Sequence, residues 1–194
     1  MISLFLDSSN VDLSIAIADD EHIIDEISYE AWQRQSELMI PELDKILTKN
    51  NVSRQDIKDV VVSIGPGSYT GVRIALTIAK VIAVALNVPV FAISSLHAMK
   101  DENKKSICLI NARSARSYVG VYEGDKVIIP DGIMTNDEVK NYINEHPDYT
   151  LMGELNYLGL QGKQPNVLKG MFELKKNAQP VSNILGLTPV YLKD

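Results

Sequence analysis

The segment that most constrains the fold of this chain covers residues 60–93. It consists of a continuous apolar run at residues 60–64, a glycine-containing turn, a long apolar helix that ends at Leu86, and a second apolar run at residues 88–93. Continuous apolar strands are typical of a sheet that is covered on both faces. Because a strand–helix–strand order requires a right-handed crossover, the two strands should pair in parallel. The segment therefore predicts an α/β fold.

The residues before this segment predict an antiparallel meander followed by a helix. Residues 2–6 are apolar, residues 11–18 alternate between apolar and polar, and residues 22–29 would return as a third strand after a turn at Asp19-Asp20. This alternation is the period of a half-buried strand. Ser36 can cap the helix, and Pro41 should cause a late start or a mild kink. The apolar positions of the helix share one face at helical spacing: Met39, Ile40, Leu43, Ile46 and Leu47.

The second half of the chain is less regular. Strands are expected at residues 107–110, 117–122 and 126–129, with a hairpin turn at Glu123-Gly124-Asp125 and a short helix at residues 137–144. Residues 153–179 predict only mixed loops and helix fragments. A charged stretch at residues 99–105 marks a boundary. We therefore predict two α/β domains, residues 1–100 and 101–194, with the last few residues crossing back.

Composition narrows the class of protein. The chain has 194 residues, 45% of them hydrophobic and 23% charged, as in ordinary globular proteins. A net charge of −6 cannot neutralise many phosphates of a nucleic acid. The one cysteine, Cys108, lies in an apolar run and is expected to be buried, which fits a reducing compartment. No leader is recognised, and the apolar stretch 72–86 is shorter than the roughly 20 residues of a membrane span. A cytoplasmic protein without a membrane anchor is expected.

Residues 64–73 are the most informative motif. They combine the end of a strand, a glycine turn and the N-terminus of a helix, an arrangement that could hold an anion. The motif is not a P-loop, because no lysine follows the second glycine, and Pro66 interrupts the spacing of a dinucleotide-binding motif. The alternative is a structural turn in which Ser68 or Thr70 caps the helix. The run Asp7-Ser8-Ser9 also has two interpretations. It could bind a metal-bound phosphate, or it could cap a turn.

The sequence contains no recognisable catalytic constellation. Its three histidines, His22, His97 and His146, are far apart and lack the spacing of metal ligands. No Ser/His/Asp or Cys/His signature is present. We therefore predict no catalytic, metal-binding or cofactor-binding residue.

The glycine motif and several shorter matches resemble the TsaB family, also called YeaZ. The family pattern G-P-G-S-[FY]-T-G-[LV]-R-[IV] is matched by Gly65, Pro66, Gly67, Ser68, Tyr69, Thr70, Gly71, Val72, Arg73 and Ile74. Weaker matches lie outside this motif loop: Ala79-Lys80, Ser94-Ser95-Leu96, Leu6-Asp7-Ser8-Ser9, Ala112-Arg113 with Tyr118 and Tyr122, and Pro189-Val190-Tyr191-Leu192-Lys193. The resemblance covers most of residues 1–122 and the last six residues.

The resemblance implies a fold and a function. The fold is that of the actin, sugar-kinase and Hsp70 superfamily, with two domains on five-stranded sheets, the second abbreviated here. The family pairs with TsaD, which performs the chemistry, and with the ATPase TsaE. Together they transfer threonylcarbamoyl from its adenylate to the adenosine beside the anticodon in tRNAs reading ANN codons. The TsaD motif H-x-x-x-H does not occur in this sequence.

The expected role is therefore a non-catalytic dimerisation subunit that reaches tRNA through the complex. No cofactor should bind tightly to this chain alone, with ATP or ADP and metal held by the partner subunits, and the free chain could form a homodimer. The alternative is an autonomous ATP-dependent kinase or metallopeptidase of the same superfamily. A peptidase needs clustered metal ligands, and a kinase needs glycine-rich phosphate loops, whereas residues 7–10 contain no glycine.

The long helix predicts an interface. Its polar stripe is narrow, so its apolar surface exceeds what its own core needs. We assign the bulky row of Ile74, Ile78, Val81 and Ala85 to the chain's own sheet. We assign the small row to a partner helix: Ala75, Ala79, Ala83 and Leu86, together with Leu76. In the alternative, the first helix of the chain covers the small row. If a partner covers it, Ala79→Arg leaves the chain folded and blocks dimerisation.

Overall fold

The computed structural model describes residues 1–102, 104–124 and 126–192, and these residues form two mixed sheets. The first sheet has the order β3-β2-β1-β4-β5 and the second the order β8-β7-β6-β9. The strands of the first sheet are β1 (Ile2–Asp7), β2 (Asp12–Ala18), β3 (Ile23–Glu30), β4 (Ile57–Ser63) and β5 (Val90–Ile93). Those of the second are β6 (Lys105–Arg113), β7 (Arg116–Glu123), β8 (Lys126–Thr135) and β9 (Thr150–Gly153).

The first sheet confirms the predicted meander and crossover. Strands β1, β2 and β3 pair antiparallel, while β4 pairs in parallel with both β1 and β5. Helices α1 (Gln35–Lys49) and α2 (Tyr69–Leu86) share a core with one face of this sheet. Helix α4 (Val167–Lys175) packs on the opposite face. Because both faces are covered, the middles of the central strands are continuously apolar, at residues 4–6 of β1 and 60–62 of β4.

Helix α4 was predicted only as a helix fragment, and it comes from the C-terminal half of the chain. It contacts the first sheet and carries Lys175, whose Nζ donates to Asp59 Oδ2 at 2.7 Å and to Ser3 Oγ at 2.6 Å. The segment that returns to the first sheet is therefore longer than a few residues. The division into domains 1–100 and 101–194 stays a prediction.

The second sheet differs from expectation in its details. Strand β8 continues to Thr135 instead of ending near Ile129, because it is an edge strand and an edge tolerates Pro130. Strand β9 was not predicted. The described residues give this sheet four strands rather than the five that the superfamily implies. Helix α3 (Asn136–Glu145) agrees with the predicted helix within a residue at each end. Asp125 of the predicted hairpin turn lies outside the described residues.

The predicted helix caps are partly correct. The capping box at residues 53–56 is present, with Ser53 and Asp56 as its two members. The prediction that Ser36 caps α1 is wrong, because the helix already begins at Gln35 and its N-cap residue, Arg34, makes no side-chain capping bond. Pro41 lies inside the helix.

Helix α2 is long and apolar enough to cross a membrane by length and composition alone. Its 18 residues have a mean hydropathy of 1.6. The core helix of a globular protein passes the same test, so this is weak evidence for a membrane span. One side of α2 contacts β4, β1 and β5 of the first sheet.

Candidate functional site

The motif loop packs directly against the turn that follows β1. The backbone oxygen of Ser9 accepts a hydrogen bond from the backbone N–H of Ser68 at 2.7 Å, and Ser8 Oγ donates to the oxygen of Gly71 at 2.7 Å. A Cβ on Gly67 would lie 2.2 Å from the oxygen of Ser9, and one on Gly71 would lie 2.0 Å from the oxygen of Ser8. The two glycines are therefore required by the close approach of two backbones.

The other end of the motif loop is equally anchored. Ser95 Oγ accepts from the N–H of Gly65 at 3.1 Å, and Ser95 N–H donates back to the oxygen of Gly65 at 2.9 Å. The Gly65–Pro66 peptide bond is cis. Ser68 is the N-cap of α2, with its Oγ accepting from the N–H of Gly71 at 3.2 Å. Of the two capping candidates, the structure selects Ser68.

Asp7 lies beneath this junction. Its carboxylate is buried and accepts hydrogen bonds from Ser63 Oγ and from the N–H of Ser9. Burial raises the pKa of Asp7 above its ordinary value, while the hydrogen bonds from Ser63 and Ser9 act in the opposite direction. The carboxyl group is thus part of a packed joint between β1, β4 and the motif loop, and it does not line an open cleft.

An autonomous kinase would need glycine-rich phosphate loops, and residues 7–10, where β1 ends, contain no glycine. The N–H of Ser68, the N-cap residue of α2, already bonds to the oxygen of Ser9. A carbonyl oxygen also repels a phosphate electrostatically. The structural alternative for the motif loop therefore explains its glycines better than an anion site does. In the part of the chain that the structure describes, no group of three or more His, Cys, Asp or Glu residues could hold a metal ion.

The face of α2 that was assigned to a partner is buried within the chain. Ala75, Ala79, Ala83 and Leu76 belong to the core shared with α1 and the first sheet, and Leu86 packs at its edge. The prediction that this row meets another protein is wrong. The alternative assignment to the interior is correct, because small side chains let α2 approach the sheet and α1 closely.

The exposed face of α2 carries the bulky row instead. The side chains of Val81 and Val84 are 64% and 55% exposed, and Ala85 is exposed beside them. Ile74 and Ile78 are half-buried, and Ile78 also contacts the core shared with α1. Burying apolar surface in a contact with another protein is favourable by roughly 25 cal/mol for each Å² removed from water. We call this surface, formed by Ile74, Ile78, Val81, Val84 and Ala85, the α2 outer face.

A cluster of two tyrosines and an arginine lies at the N-terminal end of the α2 outer face. The rings of Tyr69 and Tyr191 stack with centroids 5.1 Å apart. The guanidinium carbon of Arg73 lies 4.2 Å from the Tyr69 centroid, and Arg73 Nε donates to Tyr191 Oη at 2.7 Å. The sequence placed Tyr69 and Arg73 in the motif loop, and Tyr191 in a separate terminal motif. Only the fold brings the two motifs together.

A partly buried polar joint connects Ser94, after the first sheet, to β7 and β8 of the second sheet, and it was not predicted. Asp131 of β8 accepts hydrogen bonds from Tyr122 Oη and from Ser94 Oγ, and the ring of His97 stacks on Tyr122 with centroids 4.4 Å apart. Burial raises the pKa of Tyr122 above its ordinary value. Cys108 is buried as predicted, and burial also raises the pKa of its thiol. The hydrogen bonds of Asp131 to Tyr122 and Ser94 therefore link the two sheets.

The sheet order and the packed motif loop define a class of protein. The first sheet, of order β3-β2-β1-β4-β5, and a second sheet of four described strands agree with the α/β fold that the family resemblance implies. The structure of YeaZ from Pseudomonas aeruginosa superposes with a TM-score of 0.80, covers 98% of this chain and 99% of its own, and is 20% identical. This similarity establishes the fold.

Sequence comparisons give the family. Residues 28–142 match the family model described as TsaD, tRNA N6-adenosine threonylcarbamoyltransferase. The tRNA threonylcarbamoyladenosine biosynthesis protein TsaB of Bacillus subtilis is 35% identical over 63% of this chain and 56% of its own length. The uncharacterized protein MG208 of Mycoplasma genitalium is 31% identical over 98% of this chain and 94% of its own. The chain belongs to this family, in its TsaB/YeaZ branch. The match spans little more than half of the Bacillus protein.

Proposed function

We propose that this chain is the non-catalytic docking subunit of tRNA threonylcarbamoyladenosine biosynthesis, and that it binds a TsaD catalytic subunit through the α2 outer face. The names of the relatives supply the pathway. One observation carries the docking role: the 18-residue helix α2 exposes two large aliphatic side chains, Val81 and Val84, beside the half-buried Ile74 and Ile78. Surface patches of this kind on globular proteins mark interaction sites.

The motif loop supports the same role. A subunit with its own phosphate chemistry would keep the helix N-terminus open toward a ligand. Here one donor beside that position is already used, because the N–H of Ser68 bonds to the oxygen of Ser9 in the turn after β1. ATP or ADP and metal are accordingly assigned to the partner subunits, TsaD and the ATPase TsaE. We assign contact with tRNA to the assembled complex. We place that complex in the cytoplasm.

The test is binding of the purified chain to the TsaD subunit of the same organism. Val81→Glu places a carboxylate at the centre of the α2 outer face. Burying an unpaired charge in an interface costs several kcal/mol, so the dissociation constant should rise by more than about 100-fold. Light scattering of the free chain tells whether the same face also forms a homodimer.

Val127→Glu is the matched control. Val127 is 47% exposed on β8, in the other sheet, so the same chemical change falls outside the proposed face. It should leave binding to TsaD unchanged. Circular dichroism confirms that both variants fold. A folded Val81→Glu chain that binds TsaD as tightly as the wild type would remove the α2 outer face from the interface.

A further inference from the structure

The guanidinium of Arg73 is held in place before any partner arrives. It lies over the ring of Tyr69, and its Nε is committed to Tyr191 Oη. Cation–π contact and a hydrogen bond to Nε together restrict a side chain that is otherwise flexible. The part of a guanidinium that recognises planar anions is the fork formed by its Nη donors. Within the described part of the chain, no hydrogen bond or ion pair engages that fork.

The C-terminal segment, residues 184–192, builds this arrangement. Lys80 Nζ donates to the oxygens of Leu185 and Leu187 at 2.7 and 2.9 Å, which fixes the segment along α2. The N–H of Val190 then donates to the oxygen of Ile64 at 2.8 Å, beside the motif loop. These contacts place Tyr191 within hydrogen-bonding distance of Arg73. The terminal motif, whose residue Lys193 lies outside the described residues, is thereby joined to the motif loop.

Helix α2 itself supplies no carboxylate to balance the charge of Arg73. Helix α2 contains no Asp or Glu, and its other cation, Lys80, is already bonded to two carbonyl oxygens. Arg73 therefore offers unused donors at the end of a face that is otherwise aliphatic. A charged group at the rim of an apolar contact sets the register of a complex and selects its partner.

We propose that Arg73, positioned by Tyr69 and Tyr191, receives a carboxylate side chain of the TsaD partner at the N-terminal end of the α2 outer face. The inference rests on the proposed function, which supplies the partner. It adds the chemistry of recognition: an acidic residue on the TsaD surface that pairs with the Nη fork of Arg73.

The surroundings favour a protein carboxylate over a nucleic-acid phosphate. A phosphate-binding surface gains its affinity from several cations, because each neutralised phosphate releases counterions. The neighbours of Arg73 along the exposed side of α2 are Thr77, Val81 and Val84, and the chain carries a net charge of −6. One arginine beside an aliphatic row is the composition of a protein interface, where arginine and tyrosine are enriched.

The experiment measures dissociation constants for the full-length chain and TsaD at low and high salt. Arg73→Gln removes the charge and should weaken binding by roughly 10- to 100-fold at low salt, with a smaller factor at high salt. Arg73→Lys keeps the charge but loses the fork, so the loss should be smaller than that of Arg73→Gln. Tyr191→Phe keeps the ring and frees Nε, and should weaken binding by roughly 2- to 10-fold.

Lys140→Gln is the matched control, because it removes an exposed cation on α3, far along the chain from α2. It should bind like the wild type. If Arg73→Gln binds within about twofold of the wild type while Val81→Glu fails to bind, the role of Arg73 is overturned and the docking face stands. If Val81→Glu also binds normally, the proposed function is overturned as well. If Arg73→Gln keeps TsaD binding and weakens binding of tRNA to the complex, a phosphate replaces the carboxylate and the proposal fails.

Discussion

The backbone oxygen of Ser8 lies 2.0 Å from the position that a Cβ on Gly71 would occupy. Neither partner in this contact is a flexible side chain, so nothing can move aside without shifting β1 or the first turn of α2. We expect Gly71→Ala to lower the free energy of unfolding by about 1–3 kcal/mol or more, as overpacking does. Urea unfolding measures it. Gly132→Ala is the control, because its Cβ would meet nothing closer than 3.7 Å. Equal stability of both variants would contradict the packed junction.

Ala79 is fully buried between α2 and its own core, whereas Val81 is largely exposed. Ala79→Arg therefore forces a long charged side chain into the interior, and the chain should lose several kcal/mol of stability or fail to fold. Val81→Arg should change stability by less than about 0.5 kcal/mol. Thermal unfolding followed by circular dichroism separates the two. If Ala79→Arg is as stable as the wild type, the small row of α2 is exposed and not part of the core.

Asp7 should make stability depend on pH. Its folded-state pKa is raised above the ordinary value of 3.8, because burial disfavours the ionised form. A raised pKa in the folded state gives a contribution to stability that is complete below the unfolded-state pKa and is lost as pH rises through the folded-state pKa. The wild type should therefore lose stability relative to Asp7→Asn as pH rises above about 4. Parallel pH dependences in urea unfolding would contradict this.

Lys175 pairs with Asp59 at 2.7 Å, and both side chains are largely shielded from solvent. Removing the cation leaves a buried carboxylate without its partner, so Lys175→Met should cost about 3–5 kcal/mol. Lys176→Met removes an exposed cation from the next position, where its pair with Glu173 contributes at most about 0.5 kcal/mol. Adding Asp59→Asn to Lys175→Met should recover part of the loss. If Lys175→Met leaves the free energy of unfolding unchanged, the pair does not hold α4 to the sheet.

The first sheet could be predicted from the sequence because its signals are local. The alternation in residues 11–18 and the apolar run before the motif loop fix strand type and position without reference to the rest of the chain. Helix α4 was predicted only as a helix fragment, because its nine residues show no long periodic pattern and its packing partner, the first sheet, ends more than 70 residues earlier. The burial of such a helix is decided by tertiary contact.

The error on α2 has a physical cause. Helical spacing identifies which residues share a face but does not say which face meets the sheet. The bulky row was assigned to the core because large apolar side chains bury more surface. Helix α2 instead lies close to α1 and the sheet, and only the small side chains of the alanine row fit between them. The cluster of Tyr69, Arg73 and Tyr191 joins positions 118 residues apart, so no spacing rule could place it.

We propose that docking through the α2 outer face is required for threonylcarbamoylation of tRNA, with the catalytic groups supplied by the partner. The most direct test is mass spectrometry of tRNA nucleosides from cells depleted of the chain and supplied with one variant at a time. The wild type and Val127→Glu should restore threonylcarbamoyladenosine, and Val81→Glu, expressed at the same level, should not. Full modification in the depleted cells, or restoration by Val81→Glu, would contradict the account.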